Sequence, residues 1–171
     1  MKKAIFLDRD GTINVDKGYL YKYEDFEYTE GALEALRLFK KKGYLLIIVT
    51  NQSGIARGYY TEEQFMELHR KINEELKKEG ITIDDVYFCP HLEGCKCRKP
   101  QTYLFREAAK KYDIDWNQSY AIGDRMRDLQ ICKEENVKGF LLLGTGETPE
   151  DGVIGVSTLL EAANIICGEN K

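Results

Sequence analysis

The chain has 171 residues, 43% of them hydrophobic and 32% charged, with no repeat or low-complexity tract, which excludes a disordered or fibrous protein. A net charge of -4 excludes the broad basic footprint of a nucleic-acid binder, and no apolar run is long enough to span a bilayer. The length suits a single domain over residues 1–171, with no linker-like stretch to divide it and a monomer as the default expectation.

The basic start Met1-Lys2-Lys3 leads into Ala4-Ile5-Phe6-Leu7, but this apolar run meets Asp8 after four residues and has no cleavage site. It reads as a first strand rather than a secretory leader, so a cytoplasmic protein is expected. After Thr29, Leu33, Leu36 and Phe39 repeat at helical spacing, and Lys40-Lys41-Lys42-Gly43 closes that helix. Residues 45–49 form a second continuous apolar run. Thr61 to Gln64 is a capping box opening a helix whose face is Phe65, Leu68, Ile72 and Leu76, as far as Gly80. His69, on that helix, is expected at the surface or partly packed.

Residues 86–88, 120–122 and 139–143 read as further strands, with helices over 102–112, 126–135 and 158–166. Cys132 and Cys167 fall in apolar helical patterns and are expected to be core thiols. Short apolar strands alternating with helices predict an α/β fold, a doubly wound parallel sheet with helices on both faces. Such sheets bind ligands beyond the carboxyl ends of their strands, where Asp8, Thr50, Cys89 and Gly123-Asp124 are expected.

Phe6-Leu7-Asp8-Arg9-Asp10-Gly11-Thr12 sets two carboxylates two residues apart at a strand end, with a glycine for the turn. Asp8 suits a nucleophile toward phosphorus, and Asp10 a general acid and base. Two such anions facing a phosphate require a divalent cation, and Mg²⁺ prefers hard oxygen ligands of the kind Asp8 and Asp124 supply. Asp128, one turn beyond Asp124, has two readings: holding a metal-bound water, or favouring a helix N-terminus. Thr50-Asn51-Gln52-Ser53 offers a hydroxyl, amides and backbone N–H groups to phosphoryl oxygens, although a polar turn of this composition is also an ordinary loop. Lys99 is the expected counter-charge for the transferring group, while Arg98, with its planar fork, suits a second phosphate or a carboxylate, as do Arg125 and Lys17.

Cys89, His91, Cys95 and Cys97 place three thiols and an imidazole within nine residues, the donor set of a closed tetrahedral Zn²⁺ site. With no open coordination position, such a zinc is structural and pins the loop carrying Arg98 and Lys99.

The order of Asp8-Arg9-Asp10-Gly11-Thr12, Thr50, Lys99 and Gly123-Asp124 with Asp128 resembles the motif set of haloacid dehalogenase superfamily phosphatases. The runs DRDGTINVDKGY, VTNQSGIARGYYTEEQF, CPH, CxCRKP and GDR are similar to the heptose 1,7-bisphosphate 7-phosphatases, a capless group serving nucleotide-activated heptose and lipopolysaccharide synthesis. The resemblance covers nearly the whole chain. It implies hydrolysis of a small phosphorylated sugar through an aspartyl-phosphate, with Mg²⁺ on Asp8, the Asp10 carbonyl and Asp124. It further implies substrate contacts from Asp16-Lys17-Gly18-Tyr19, Thr50 to Ser53, Arg98 and Lys99, with the 14–28 loop and the zinc loop shaping the pocket. Three positions depart from that family: only Leu92-Glu93-Gly94 separates His91 from Cys95, Gln101-Thr102-Tyr103 follows the RKP run, and Arg125 stands where lysine is common. A histidinol-phosphate phosphatase is the alternative within the enzyme class, and a non-catalytic zinc-stabilised binding module the alternative outside it.

Overall fold

A computed structural model describes residues 1–150 and 152–168. Its six parallel strands are β1 (Ala4–Leu7), β2 (Leu45–Asn51), β3 (Asp85–Cys89), β4 (Tyr120–Gly123), β5 (Lys138–Leu142) and β6 (Val153–Val156), arranged in the order β3-β2-β1-β4-β5-β6. The chain winds outward from β1 through β2 to β3, then returns to the other side of β1 and winds outward again. Its direction reverses between β1 and β4, which opens a crevice at their carboxyl ends.

Alternation along each strand divides the core between the two faces of the sheet. Ile5, Leu7, Leu46, Ile48, Ile122 and Phe140 pack on one face against α1 (Ala32–Lys41), α2 (Glu62–Lys77) and α5 (Leu159–Cys167). Ala4, Phe6, Ile47, Val49, Ala121 and Leu141 pack on the other against α3 (Tyr103–Tyr112) and the segment around Leu129 and Ile131. Each fully buried aliphatic side chain contributes about 1.5–3 kcal/mol, enough to make the register specific, because a one-residue slip would exchange the two faces. Register sets Leu7 beside both Ile48 and Ile122, so Asp8 leaves the sheet level with Val49 and Gly123. The Thr61 capping box forms as expected, with Gln64 N–H donating to the Thr61 hydroxyl at 3.1 Å.

One strand was not expected from the sequence, and two expectations are corrected. β6 has only four residues, one of them Gly155, and lies at the sheet edge, too short for a periodic signal. The helix expected over 126–135 is instead a 3-10 turn, Met126–Leu129, followed by the single-turn α4, Ile131–Glu134. The Asp128 carboxylate there turns back to accept from Arg125 N–H at 3.1 Å, which tightens the first turn. Cys132 and Cys167 are half-buried at the margins of the two cores rather than inside them.

Candidate active site

At the β1/β4 crevice a cavity of about 390 Å³ opens, and Lys99 is buried at its base. Its ammonium donates to Asp8 Oδ1 at 3.0 Å, to the Val49 carbonyl at 2.6 Å and to Asp128 Oδ1 at 2.7 Å, which uses all three of its protons. Burial opposes the charge on Lys99, but Asp128 and Asp8 together outweigh it and hold the lysine above its usual range. Asp128, left with two readings by its sequence position, is thus both the ion-pair partner of Lys99 and a backbone cap.

Carboxylate oxygens of Asp8, Asp124 and Asp128 lie within 4.8 Å of one another. Burial first, then repulsion from Asp128, Asp124 and Asp10, pushes the Asp8 carboxyl well above its ordinary value, with Lys99 opposing. Burial and Asp128 likewise push Asp124 up to about 6. Carboxylates that repel one another in a cleft fit a divalent cation, which would relieve the repulsion. The close approach of Asp124 depends on Gly11: at φ +89° the backbone is in the left-handed region, and a Cβ would collide with the Asp124 carboxylate.

Asp10 is fixed by four N–H groups. Arg9 Nε and Nη2 donate to its two oxygens at 3.2 and 3.1 Å, Asn14 Nδ2 donates to Oδ1 at 2.9 Å and Gln52 Nε2 to Oδ2 at 3.2 Å. Gln52 is itself held by the buried Tyr60 hydroxyl, which donates to its side-chain oxygen, and it also donates to Thr50 Oγ1 at 3.0 Å. Asn51 grips the Lys99 backbone, accepting from its N–H at 2.9 Å and donating to its carbonyl at 3.3 Å. Asn51 and Gln52 therefore shape the site as well as line it. Ser53 carries no side-chain bond among the described residues.

Asp8, Asp10, Asp16, Gly18, Tyr19, Thr50 to Ser53, Arg98, Lys99, Asp124 and Arg125 all line the cavity. Lys17 does not; its ammonium pairs with Glu27 at 3.2 Å. Asp16 Oδ1 accepts from Gly18 N–H at 3.0 Å, and Gly18 and Tyr19 follow with φ of 71° and 54°, turning the Tyr19 ring to meet Tyr59 edge-on. The sequence reading missed Arg57, Tyr60 and Arg127 as lining residues, and Arg9 and Asn14 as holders of Asp10. Arg57 and Tyr60 lie in the run NQSGIARGYY, which carried the family resemblance but of which only Thr50 to Ser53 were assigned to the site.

His69 is 7% exposed, against expectation, because α2 turns it inward beside Phe65. Burial, reinforced by the Arg9 guanidinium, pulls its pKa down to about 4. The unfolded histidine, near 6.5, takes up a proton first, so this site costs no stability above that range and its penalty grows as pH falls toward 4. His69→Leu should therefore remove about 3 kcal/mol of the stability that the wild type loses between pH 7 and pH 4. Urea unfolding of both proteins across that range tests this, and parallel pH profiles would refute it.

The Cys89, His91, Cys95 and Cys97 donor atoms also converge within 4.8 Å. Cys89 Sγ lies 3.5 Å from both His91 Nδ1 and Cys95 Sγ, and 2.8 Å from Cys97 Sγ. Burial pushes the Cys89 thiol up to about 12. At Cys95 burial is outweighed by the N–H groups of Arg98 and Cys97, which pull the thiol down to about 7. A thiolate cradled by backbone donors among two further sulfurs and an imidazole fits zinc. Two residues on from Cys97, the chain delivers Lys99 to the cavity floor.

The profile of a family described as Polynucleotide kinase 3 phosphatase matches residues 3–136. The D-glycero-beta-D-manno-heptose-1,7-bisphosphate 7-phosphatase of Pasteurella multocida is 42% identical over 171 residues, covering 95% of this chain and 93% of that protein. The D-glycero-alpha-D-manno-heptose-1,7-bisphosphate 7-phosphatase of Campylobacter jejuni is 49% identical over 148 residues, 86% of each chain. Among solved structures, the D,D-heptose 1,7-bisphosphate phosphatase of B. bronchiseptica, complexed with magnesium and phosphate, superposes with a TM-score of 0.88 at 30% identity, over 98% of this chain and 99% of that one.

Proposed function

Because the chain belongs to the haloacid dehalogenase phosphatases, among the heptose 1,7-bisphosphate 7-phosphatases, we propose that it hydrolyses the 7-phosphate of such a heptose bisphosphate through a phosphoaspartate on Asp8. The observation that carries this reading is the triple contact of Lys99 with Asp8, Asp128 and the Val49 carbonyl, which sets a buried cation against the attacking carboxylate.

Asp8 attacks phosphorus in line, and the P–O bond to the sugar breaks. Asp10 donates its proton to the departing oxygen, then accepts one from the water that attacks the phosphoaspartate, which returns both carboxyls to their starting states. Thr50 and Ser53 hold the phosphoryl oxygens, while Lys99, its protons engaged by Asp8, Asp128 and the Val49 carbonyl, offsets their charge in a site where water screens it poorly. Mg²⁺ on Asp8, Asp124 and the Asp10 carbonyl would neutralise the carboxylates and the incoming phosphate. Arg98 and Arg125, at the cavity mouth, suit the 1-phosphate. Asp8, Asp10, Lys99 and Asp124 converge within one chain, so the proposed reaction needs no residue from a second subunit. No helix among the described residues is long and apolar enough to cross a membrane, which is compatible with a cytoplasmic enzyme acting on a soluble sugar.

Cys89, His91, Cys95 and Cys97 would hold a zinc ion that fixes the Arg98-Lys99 segment. Removing it with a mercurial thiol reagent and chelator should lower the Tm by about 5–10 °C and reduce kcat/KM at least tenfold, and freeing the thiols with excess dithiothreitol before re-addition of Zn²⁺ should restore both. An unchanged Tm and rate after verified zinc loss would remove the knuckle from this account.

The function itself is tested by magnesium-dependent phosphate release from both anomers of heptose 1,7-bisphosphate and from histidinol phosphate. The expected kcat/KM favours a heptose bisphosphate by about 100-fold or more, because a site built for a second phosphate rejects a substrate lacking it. Preference for histidinol phosphate would overturn the substrate assignment, and no release from any of them would overturn the activity.

A further inference from the structure

Arg9 lies between the two aspartates, is 1% exposed and does not line the cavity. It therefore touches no substrate. Its guanidinium instead folds back on its neighbour, with Nε on Asp10 Oδ1 at 3.2 Å and Nη2 on Asp10 Oδ2 at 3.1 Å, while Nη2 also reaches the Leu20 carbonyl at 3.4 Å. The Phe65 ring of α2 backs the guanidinium at 5.2 Å. Its third nitrogen, Nη1, is buried without a hydrogen-bond partner among the described residues, as is His69 Nδ1.

For folding alone this is a poor arrangement. A buried, incompletely bonded cation costs more than an apolar side chain of similar size, and such exceptions call for a functional explanation. Asp10 must serve two oxygens in turn, first that of the leaving group and then that of water, so its carboxyl has to be held in one orientation throughout. A planar fork gripping both oxygens does this, with Asn14 and Gln52 each adding one N–H. We infer that Arg9 is the positioning residue for the Asp10 carboxyl, required for both of its proton transfers. This inference rests on the phosphoaspartate reading above.

Arg9→Met and Arg9→Lys test it with two classes of substrate. With the heptose bisphosphate, whose leaving oxygen needs a proton, Arg9→Met should lower kcat by about 100-fold or more with KM within about threefold, and Arg9→Lys should recover at least about tenfold of that loss. With 4-nitrophenyl phosphate, whose leaving group departs unprotonated, Asp8 should still be phosphorylated. The variant should then release a burst of about one nitrophenolate per enzyme, followed by a steady state slowed about 100-fold, because only the water step still needs Asp10. A merely structural defect would reduce burst and steady state together. That result in both variants, or a kcat within threefold of wild type in both, would overturn the inference. If Arg9→Met does not fold, Arg9→Lys carries the same readouts, with a burst still expected ahead of a slowed steady state. A wild type that releases no phosphate would overturn the functional reading and this inference together, whereas an active wild type with burst-free variants would overturn only the role of Arg9.

Discussion

Asp8→Asn should lower kcat by about 10⁵-fold and at the same time raise the thermal stability of the magnesium-free protein. The loss of rate follows from removing the atom that forms the bond to phosphorus, since an amide of the same shape cannot replace it. The gain in stability follows from the position of Asp8: burial, then Asp128, Asp124 and Asp10, hold its carboxyl above the ordinary range. A carboxyl raised in the folded state is no burden below its unfolded pKa, and it costs stability increasingly as pH rises through the folded value. Asparagine, which does not ionise, carries none of that cost. A Tm increase of about 2–4 °C, corresponding to about 1 kcal/mol, is expected in magnesium-free buffer that leaves zinc in place. A lower Tm would mean that the Lys99–Asp8 contact contributes more than the carboxylate repulsion costs.

Lys99→Met should damage both properties. Three donor contacts disappear, and Asp8 and Asp128 are left facing each other in a buried site. Removing one partner of a buried ion pair costs about 3–5 kcal/mol, or a Tm lower by roughly 10 °C in a chain of this size. Loss of the positive charge facing the transferring phosphoryl group should lower kcat by about 10³-fold. The two effects are separable: adding Asp128→Asn removes one stranded charge and should restore at least half of the lost Tm, but none of the lost kcat. Recovery of activity in the double variant would show that Lys99 matters only as a structural counter-ion.

How far the sequence disclosed these features depended on whether the cause was local. Five strands were legible because each is a short apolar run with both faces covered, and β6 was not, because four edge residues including Gly155 carry no such pattern. The strand-end groups Asp8, Thr50, Cys89 and Asp124 could be read because parallel topology brings carboxyl ends together whatever the loop lengths. The Lys99–Asp128 pair could not, since it joins residues far apart in the chain through the fold. Nor could the inward turn of His69, the fold-back of Arg9 onto Asp10, or the use of Asn51 to grip the Lys99 backbone, each of which depends on how a side chain leaves its element. Lys17 was plausible from its neighbours, yet its side chain turns to Glu27. The alternatives of a histidinol-phosphate phosphatase and a non-catalytic zinc module arose from the short zinc loop and the knuckle. The long matches to heptose bisphosphate phosphatases weigh against both.

The central claim is that phosphate passes through the Asp8 side chain, and it can be observed directly by acid-quenching the enzyme during turnover of heptose 1,7-bisphosphate and treating it with borohydride. The account predicts that reduction converts Asp8, and no other carboxylate, to homoserine, and only when substrate was present. Rapid turnover with Asp8 unmodified, or with the modification on another residue, would contradict it.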